Sequence, residues 1–341
     1  MSVKITGRLP SGKLKERIQQ SPQYRDGAFQ NISITPMKPE GVSYWKMMRA
    51  FFRKHPETEP KQKLPAIKTN LRALPGDEPV LVWFGHSSYL LRVNGKTILV
   101  DPVFSGNAAP LSFMVKAFPG SNNYSVADLP EIDCLLLTHD HYDHLDYKTI
   151  VQLKKKVKQV VCSLGVSAHL TYWGYDRSVI CDLDWWERFE GDGFSLTATP
   201  ARHFSGRGLK RAQSLWSSFV LEAGACRLFL GGDSGYDTHF AEIGKRFGPF
   251  DLAILECGQY NVMWPLIHMM PEETVQAAID LRAKRLLPVH WAKFRLSMHP
   301  WYEPVERVLQ AAGEKGMIVR SPLIGEPMQV IADGPDKQWW K

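Results

Sequence analysis

Short apolar or alternating runs dominate the chain after Pro79, and this pattern is typical of β-strands. Turn residues such as Asn94 and Gly95 separate the runs, and helical patterns intervene. The runs lie at residues 80–84, 88–93, 97–100, 132–138, 158–163, 194–199, 216–222, 226–231, 251–255 and 285–289, and the helical patterns at 146–156, 165–173, 238–246, 271–283 and 303–315. Two facing sheets with helices outside are consistent with this order.

The first part of the chain has a different pattern, which predicts an N-terminal extension at 1–75 and a main domain at 76–341. The first forty residues are polar with little periodicity, so we expect an extended arm that wraps the domain or is partly disordered. From Ser43 onwards, apolar residues alternate with basic ones at helical spacing. The apolar residues are Tyr44, Trp45, Met48, Phe51 and Phe52, and the basic ones are Lys46, Arg49, Arg53 and Lys54. This basic amphipathic helix either docks on the domain or lies on anionic lipid.

Composition and charge narrow the class of protein only slightly. A chain of 341 residues with 44% hydrophobic content can bury a large core as one domain with an extension. The net charge of +7 favours anionic partners such as phospholipid headgroups, phosphate esters or nucleic acid.

The cysteines and the hydropathy pattern indicate the compartment. The five cysteines are odd in number, lack C-x-x-C spacing and lie mostly in apolar segments, which argues against a disulfide framework. No stretch of about 18 consecutive apolar residues occurs, and the first thirty residues do not resemble a signal peptide. We therefore expect a cytoplasmic protein.

The most informative motif is the histidine-rich hexapeptide His139-Asp140-His141-Tyr142-Asp143-His144, which follows a buried apolar run. Zinc prefers imidazole nitrogen and carboxylate oxygen, and catalytic zinc sites keep one position open for water. His139 and His141 lie two residues apart on an extended segment, so they point the same way and can share one metal. Asp143 and His144 can turn toward a second metal. The hexapeptide therefore predicts a two-metal site.

The remaining ligands should lie downstream, each at the end of its own strand, because loops at one sheet edge usually assemble such a site. Three residues meet that description: His203, Asp233 and His290. Asp233 is flanked by glycines at 231, 232 and 235, which let the backbone bring its carboxylate close to a highly charged object. Asp233 therefore suits a bridging position.

These motifs resemble the metallo-β-lactamase superfamily, whose first motif is the histidine-x-histidine-x-aspartate-histidine signature. Within it, the chain is most similar to the family of N-acylphosphatidylethanolamine-hydrolysing phospholipase D and its bacterial relatives. The resembling stretches are 84–88, 101–105, 139–144, 183–187, 200–207, 215–219, 232–236, 268–273 and 289–294. The resemblance implies an α/β fold, a four-layer αββα sandwich carrying the N-terminal extension.

The resemblance also implies a ligand set and catalytic residues. One zinc would be held by His139, His141 and His203, and the other by Asp143, His144 and His290, with Asp233 bridging both. Iron or manganese could occupy similar shells. His268 matches a family histidine that lines the active-site pocket and binds or protonates the phosphate region, so the expected catalytic residues are Asp143, Asp233 and His268.

The activity that the resemblance implies is a phospholipase D-type phosphodiesterase. Its substrate would be N-acylphosphatidylethanolamine or a related glycerophospholipid, giving phosphatidic acid and an N-acylethanolamine. Two alternatives stay open: a cytosolic sugar-phosphate lactonase similar to the L-ascorbate 6-phosphate lactonases, and a nuclease. We expect no nucleic acid partner, because the chain has no large basic insertion with interleaved aromatics. Peripheral membrane contact and a homodimer are further alternatives.

Other residues near these motifs allow two interpretations. His86 and Asp101 could orient ligand histidines, although ordinary turn chemistry explains them equally well. Trp291, Lys293 and residues 263–267 could line a channel for acyl chains or simply pack in the core. The four histidines without such context are interpreted as surface or core residues: His55, His169, His239 and His299.

Overall fold

The N-terminal arm packs on the main domain through a short helix and a hairpin. The computed structural model describes residues 4–36, 38, 41, 43, 45, 48, 49, 56–75, 78–333 and 337–341. The arm forms α1 (Gly12–Gln20), β1 (Tyr24–Arg25) and β2 (Ala28–Phe29). The expectation of an extended or partly disordered arm was wrong for residues 12–20, which form a helix. Ile18 is the buried side chain of α1, so the sequence shows too few apolar positions to reveal a helical period.

The predicted amphipathic helix lies largely outside the described residues, which include neither Tyr44 nor the pair at 51 and 52. Trp45 and Met48 are described, and they are 70% and 46% exposed. Whether this segment binds lipid stays a prediction.

Two seven-stranded sheets form the body of the domain. The first sheet contains β3 (Val80–Trp83), β4 (Tyr89–Val93), β5 (Lys96–Val100), β6 (Ile132–Leu137), β7 (Val157–Ser163), β8 (Ile180–Leu183) and, from the C-terminal end, β16 (Pro327–Gln329). The second contains β9 (Arg188–Glu190), β10 (Ser195–Thr199), β11 (Ser218–Ala223), β12 (Cys226–Leu230), β13 (Leu252–Glu256), β14 (Arg285–Val289) and β15 (Ile318–Val319).

The strand orders are β16-β3-β4-β5-β6-β7-β8 and β15-β14-β13-β12-β11-β10-β9. Strands β5 to β8 are parallel to one another, as are β12 to β15, while the other neighbours pair antiparallel. It follows that β3, β5 and β6 end at one edge of the first sheet. In the second sheet, β10, β12, β13 and β14 likewise end at one edge.

Helices cover the outer faces of both sheets, and the main core lies between the sheets. The helices are α2 (Tyr147–Leu153), α3 (Ser167–Tyr172), α4 (His239–Phe247), α5 (Pro271–Asp280) and α6 (Glu303–Lys315). Apolar side chains of both sheets meet in one cluster, which includes Trp83, Leu136, Phe219 and Ile254. This arrangement confirms the predicted αββα sandwich. None of the helices in the described part of the chain is long and apolar enough to span a membrane.

The ten strands and five helices predicted after Pro79 are all present. The unpredicted strands of the two large sheets are β8, β9, β15 and β16, which are the edge strands. Edge strands are short and partly exposed, as the burial pattern of Arg188–Glu190 illustrates, so their sequences lack a clear apolar period.

Candidate metal centre

The predicted ligands converge where strands of the two sheets end. The hexapeptide follows β6, His203 follows β10, Asp233 follows β12 and His290 follows β14. All of the predicted ligands are buried except His141, which is partly exposed. The structure therefore brings together residues that lie up to 151 positions apart (139 to 290) in the sequence.

One group consists of His139, His141, His203 and Asp233, whose candidate ligand atoms all lie within 4.8 Å of one another. His139 Nε2 and His203 Nε2 lie 3.0 and 3.2 Å from His141 Nδ1. Asp233 Oδ2 lies 3.8 Å from His139 Nε2 and 3.6 Å from His203 Nε2. Three imidazole nitrogens and one carboxylate oxygen thus face a common point.

The second group contains Asp143, His144 and His290, together with His86. Asp233 Oδ1 lies 3.1 Å from both His144 Nε2 and His290 Nδ1. Asp143 Oδ2 lies 3.6 Å from His144 Nε2. Since the two oxygens of Asp233 face different groups, its carboxylate joins them, which is the geometry of a bridging ligand.

The donor set fits a pair of divalent cations. His144 Nε2 and Asp233 Oδ1 are buried, and among the described residues neither has a hydrogen-bond partner. Nitrogen ligands about 2.0–2.1 Å from a tetrahedral zinc lie roughly 3.3 Å from one another. The nitrogen spacings of 3.0 and 3.2 Å in the first group are close to that value. Lone pairs held this close in a buried site repel one another unless a cation or proton lies between them.

Neighbouring side chains and carbonyls fix the orientation of the ligand rings. His144 donates from Nδ1 to Asp101 Oδ2 at 2.7 Å, and His203 donates from Nδ1 to the Ile267 carbonyl at 2.8 Å. His86 Nε2 lies 2.9 Å from Asp143 Oδ2. Such contacts set the tautomer and leave the other nitrogen for a metal. His86 and Asp101 thus contact ligand residues, as one of the two interpretations predicted.

Burial holds most of these imidazoles in the neutral form that ligation requires. It lowers the pKa of His139, His203 and His290 well below the usual histidine value. For His144, burial is outweighed by Asp233 and Asp143, which raise its pKa. Burial alone would raise the pKa of Asp233, but its interaction with His144 outweighs burial and lowers that pKa, so the carboxylate stays ionised.

His268 lies beside the two groups and is held by a residue that the sequence analysis missed. Its ring is 5.2 Å from the His290 ring, and its Nδ1 lies 3.0 Å from Glu256 Oε2. Glu256 is buried and accepts two backbone N–H groups, from Ser234 and Met269. Burial opposes protonation of His268, but Glu256 outweighs it and raises the pKa of His268 to about 9. Glu256 could have been found from its position, because it ends β13, and β13 lies between the strands that precede Asp233 and His290.

Trp291 and Lys293 do not line an acyl channel, so that interpretation was wrong for both. Trp291 is 1% exposed and stacks against Trp339 with ring centroids 5.3 Å apart. Lys293 is also 1% exposed, and its Nζ donates to the carbonyls of Phe84 and Val103 at 3.1 and 2.9 Å. Both therefore belong to the packing behind the ligand loops.

The buried amine of Lys293 makes the stability of the fold dependent on pH. Burial lowers the pKa of Lys293 to about 7, compared with about 10.4 in an unfolded chain. Between these values the unfolded state binds one proton more, so stability should rise with pH by about 1.4 kcal/mol per unit. Urea titrations of the metal-free protein measure the free energy of unfolding. Between pH 7.5 and 9, this free energy should rise by about 2 kcal/mol more in the wild type than in Lys293→Met. The exposed Lys61→Met is the control, and equal gains in Lys293→Met and the wild type would contradict the assignment.

Comparisons with known proteins agree with this geometry. A family profile described as a beta-lactamase superfamily domain matches residues 96–291, more than half of the chain. An uncharacterized protein of Mycobacterium tuberculosis is 38% identical over 334 residues, covering 95% of this chain and 88% of that protein. The N-acyl-phosphatidylethanolamine-hydrolyzing phospholipase D 1 of Caenorhabditis elegans is 30% identical over 270 residues, covering 75% of this chain and 76% of that enzyme.

A solved structure supports the fold. Igni18, a metallo hydrolase of Ignicoccus hospitalis, aligns with a TM-score of 0.55 and 19% identity, covering 73% of this chain and 97% of that one. The profile match, the relatives and the buried histidine–aspartate cluster lead to one conclusion. The chain belongs to the metallo-β-lactamase superfamily of metal-dependent hydrolases.

Proposed function

We propose that this protein is a zinc-dependent phosphodiesterase of phospholipase D type. Its substrate is N-acylphosphatidylethanolamine or a related glycerophospholipid, and its products are phosphatidic acid and an N-acylethanolamine. The observation that carries the proposal is the position of the Asp233 carboxylate. One of its oxygens faces the first histidine group, and the other faces the second. Zinc is favoured because the ligands are mostly imidazole nitrogens.

His268 and Glu256 handle the proton that the leaving group needs. Divalent cations in such a site supply Lewis acidity toward a phosphodiester and activate water. Water gives up one proton to solvent and adds to phosphorus as hydroxide, and the bond from phosphorus to the ethanolamine oxygen breaks. Nδ1 of His268 donates a hydrogen bond to Glu256. Nε2 is therefore the nitrogen that can donate a proton to the departing alkoxide.

Exposed apolar side chains around the site favour a lipid substrate over a soluble one. Leu209, on the loop that follows His203, and Ile34 are 105% and 92% exposed. Phe113 and Val262 are 70% and 71% exposed. A lipid surface would cover these side chains and bury apolar area that otherwise faces water.

Each of these side chains lies on a segment that contacts or carries a site residue. Val262 lies on the segment that leads to His268. Phe113 and Tyr142 of the hexapeptide line one cleft of about 320 Å³. The Ile34 carbonyl accepts a hydrogen bond from Arg202, which precedes His203. The basic residues at 210 and 211 adjoin Leu209 and suit an anionic headgroup.

The substrate class can be tested with vesicles and a soluble diester. Zinc-loaded protein should release N-acylethanolamine from N-acylphosphatidylethanolamine vesicles and should not open a sugar 6-phosphate lactone. The double variant Phe113→Ser with Leu209→Ser should hydrolyse the vesicle substrate about tenfold or more slowly, because it buries less apolar area in the lipid. Hydrolysis of bis-p-nitrophenyl phosphate, a soluble diester, should not change.

The matched control is Ile318→Ser with Ile331→Ser, since these side chains are 42% and 45% exposed on other surfaces. This control should hydrolyse vesicles at the wild-type rate. Lactone hydrolysis without N-acylethanolamine release would instead favour the lactonase alternative.

A further inference from the structure

Asp140 is the carboxylate of the hexapeptide that takes no part in either ligand group among the described residues. It is 4% exposed although it lies between His139 and His141. Its Oδ1 accepts from the Gly206 backbone N–H at 2.6 Å, and its Oδ2 accepts from Ser214 Oγ at 3.0 Å. Gly206 follows His203 in the loop after β10, so Asp140 ties this loop to the hexapeptide.

Arg207 forms hydrogen bonds near both ends of the hexapeptide loop. Its Nη1 donates to the carbonyls of Asp140 and Leu145 at 2.8 and 2.7 Å, which flank the ligands at 141, 143 and 144. Its guanidinium carbon lies 4.0 Å from the centre of the Tyr142 ring, and Tyr142 donates its hydroxyl to the Arg207 carbonyl at 2.7 Å. Arg207 is 6% exposed, so water cannot easily replace these partners.

The third connection leads to His169, which the sequence analysis interpreted as a core or surface residue. His169 is 2% exposed, and its Nε2 lies 3.2 Å from Asp140 Oδ2. Its Nδ1 accepts from the Arg8 backbone N–H at 3.1 Å. Since Nδ1 accepts, the ring proton lies on Nε2, and His169 donates it to Asp140.

The N-terminal segment of residues 4–8 supplies further partners to this network. Arg207 Nη2 donates to the Ile5 carbonyl at 2.9 Å, and Trp173 Nε1 donates to the Lys4 carbonyl at 2.7 Å. Gly7 has a φ of +74°, and a Cβ added there would lie 2.0 Å from His169 Nδ1. Only glycine fits this close approach.

We propose that the N-terminal segment 4–8 is a positioning element of the metal centre. It holds His169 and Arg207, which in turn fix Asp140 and the hexapeptide. Asp140, His169 and Arg207 are positioning residues, since their contacts reach the ligands only through the loop backbone. Loss of the segment's contacts should therefore weaken metal affinity, because the ligands lose their preset arrangement.

The first test compares two glycine substitutions in the full chain. Gly7→Ala forces a side chain against His169. Gly27→Ala is the matched control, because Gly27 has a similar φ of +79° and no atom lies within 4 Å of its added Cβ. We expect Gly7→Ala to bind Zn²⁺ about 10–100-fold more weakly, measured by competition with a chelating dye. Gly27→Ala should bind as the wild type does.

The second test changes His169 itself and remains informative if Gly7→Ala does not fold. His169→Leu removes both the donor to Asp140 and the acceptor for Arg8, so it should weaken Zn²⁺ binding by a similar factor of about 10–100. His169→Gln keeps an N–H donor and an acceptor and should recover most of the affinity. Urea titration of each apoprotein shows whether the variant is folded.

Two results would overturn the proposal. Folded Gly7→Ala or His169→Leu that binds Zn²⁺ as tightly as the wild type would limit the segment to a role in stability. An equal loss in Gly27→Ala would assign the effect to backbone strain alone. Zn²⁺ affinity is measured without substrate, so failure of the phospholipase proposal leaves this test intact.

Discussion

Asp233→Asn is expected to reduce the zinc content from two ions to at most one per chain and to lower kcat/KM on the order of 10³-fold. The amide keeps the size of the side chain but replaces one carboxylate oxygen with an NH₂ group, which cannot ligate a cation. Both oxygens of Asp233 face imidazole nitrogens, so either orientation of the amide disrupts one group. Metal analysis of the purified variant and a steady-state assay measure the two effects.

The control for this experiment is Asp251→Asn. Asp251 lies just before β13, accepts a hydrogen bond from the Arg227 backbone N–H and pairs with Lys284, far from the ligand groups. This variant should retain two zinc ions and wild-type activity. Full metal content and activity in Asp233→Asn would refute the bridging role.

Glu256→Gln is expected to lower kcat/KM about 10²-fold at pH 8 and to move the basic limb of its pH profile to lower pH. Burial disfavours protonated His268, and the Glu256 carboxylate is what raises its pKa to about 9. Without that charge the pKa of His268 falls. The proton for the leaving group is then lost at a lower pH, and activity declines there.

The pH profile separates this role from a structural one. A merely structural loss would lower kcat/KM by the same factor at every pH, and the basic limb would stay in place. His268→Gln should remove the limb itself, because the side chain no longer titrates. An unmoved basic limb in Glu256→Gln would contradict proton donation by His268.

The convergence of the candidate ligands could be predicted because each one follows a strand. His203, Asp233 and His290 each come after an apolar or alternating run, and the hexapeptide indicated what they would bind. Glu256 also ends a strand, β13. A single glutamate after an apolar run is, however, equally common where a strand simply reaches the surface. Only the strand order, which places β13 between β12 and β14, reveals that Glu256 lies at the site.

The supporting network could not be predicted, because it depends on tertiary contacts between polar residues that have no motif in common. His169 lies on a six-residue helix and Asp140 lies in the hexapeptide, and only the packing of α3 beside that loop joins them. The N-terminal segment contributes mainly backbone groups, which leave no trace in side-chain patterns. Gly7 is the exception, but the need for glycine at this position becomes clear only once the fold places His169 beside it.

If seven residues hold two adjacent cations, anomalous diffraction at the zinc absorption edge will locate both. Crystals of the zinc-loaded protein should show two peaks about 3.5–4 Å apart, one beside each group, with Asp233 between them. Their ligands should be His139, His141 and His203 for one peak, and Asp143, His144 and His290 for the other. A single peak, or peaks that lie away from Asp233, would rule out a two-cation centre bridged by this carboxylate.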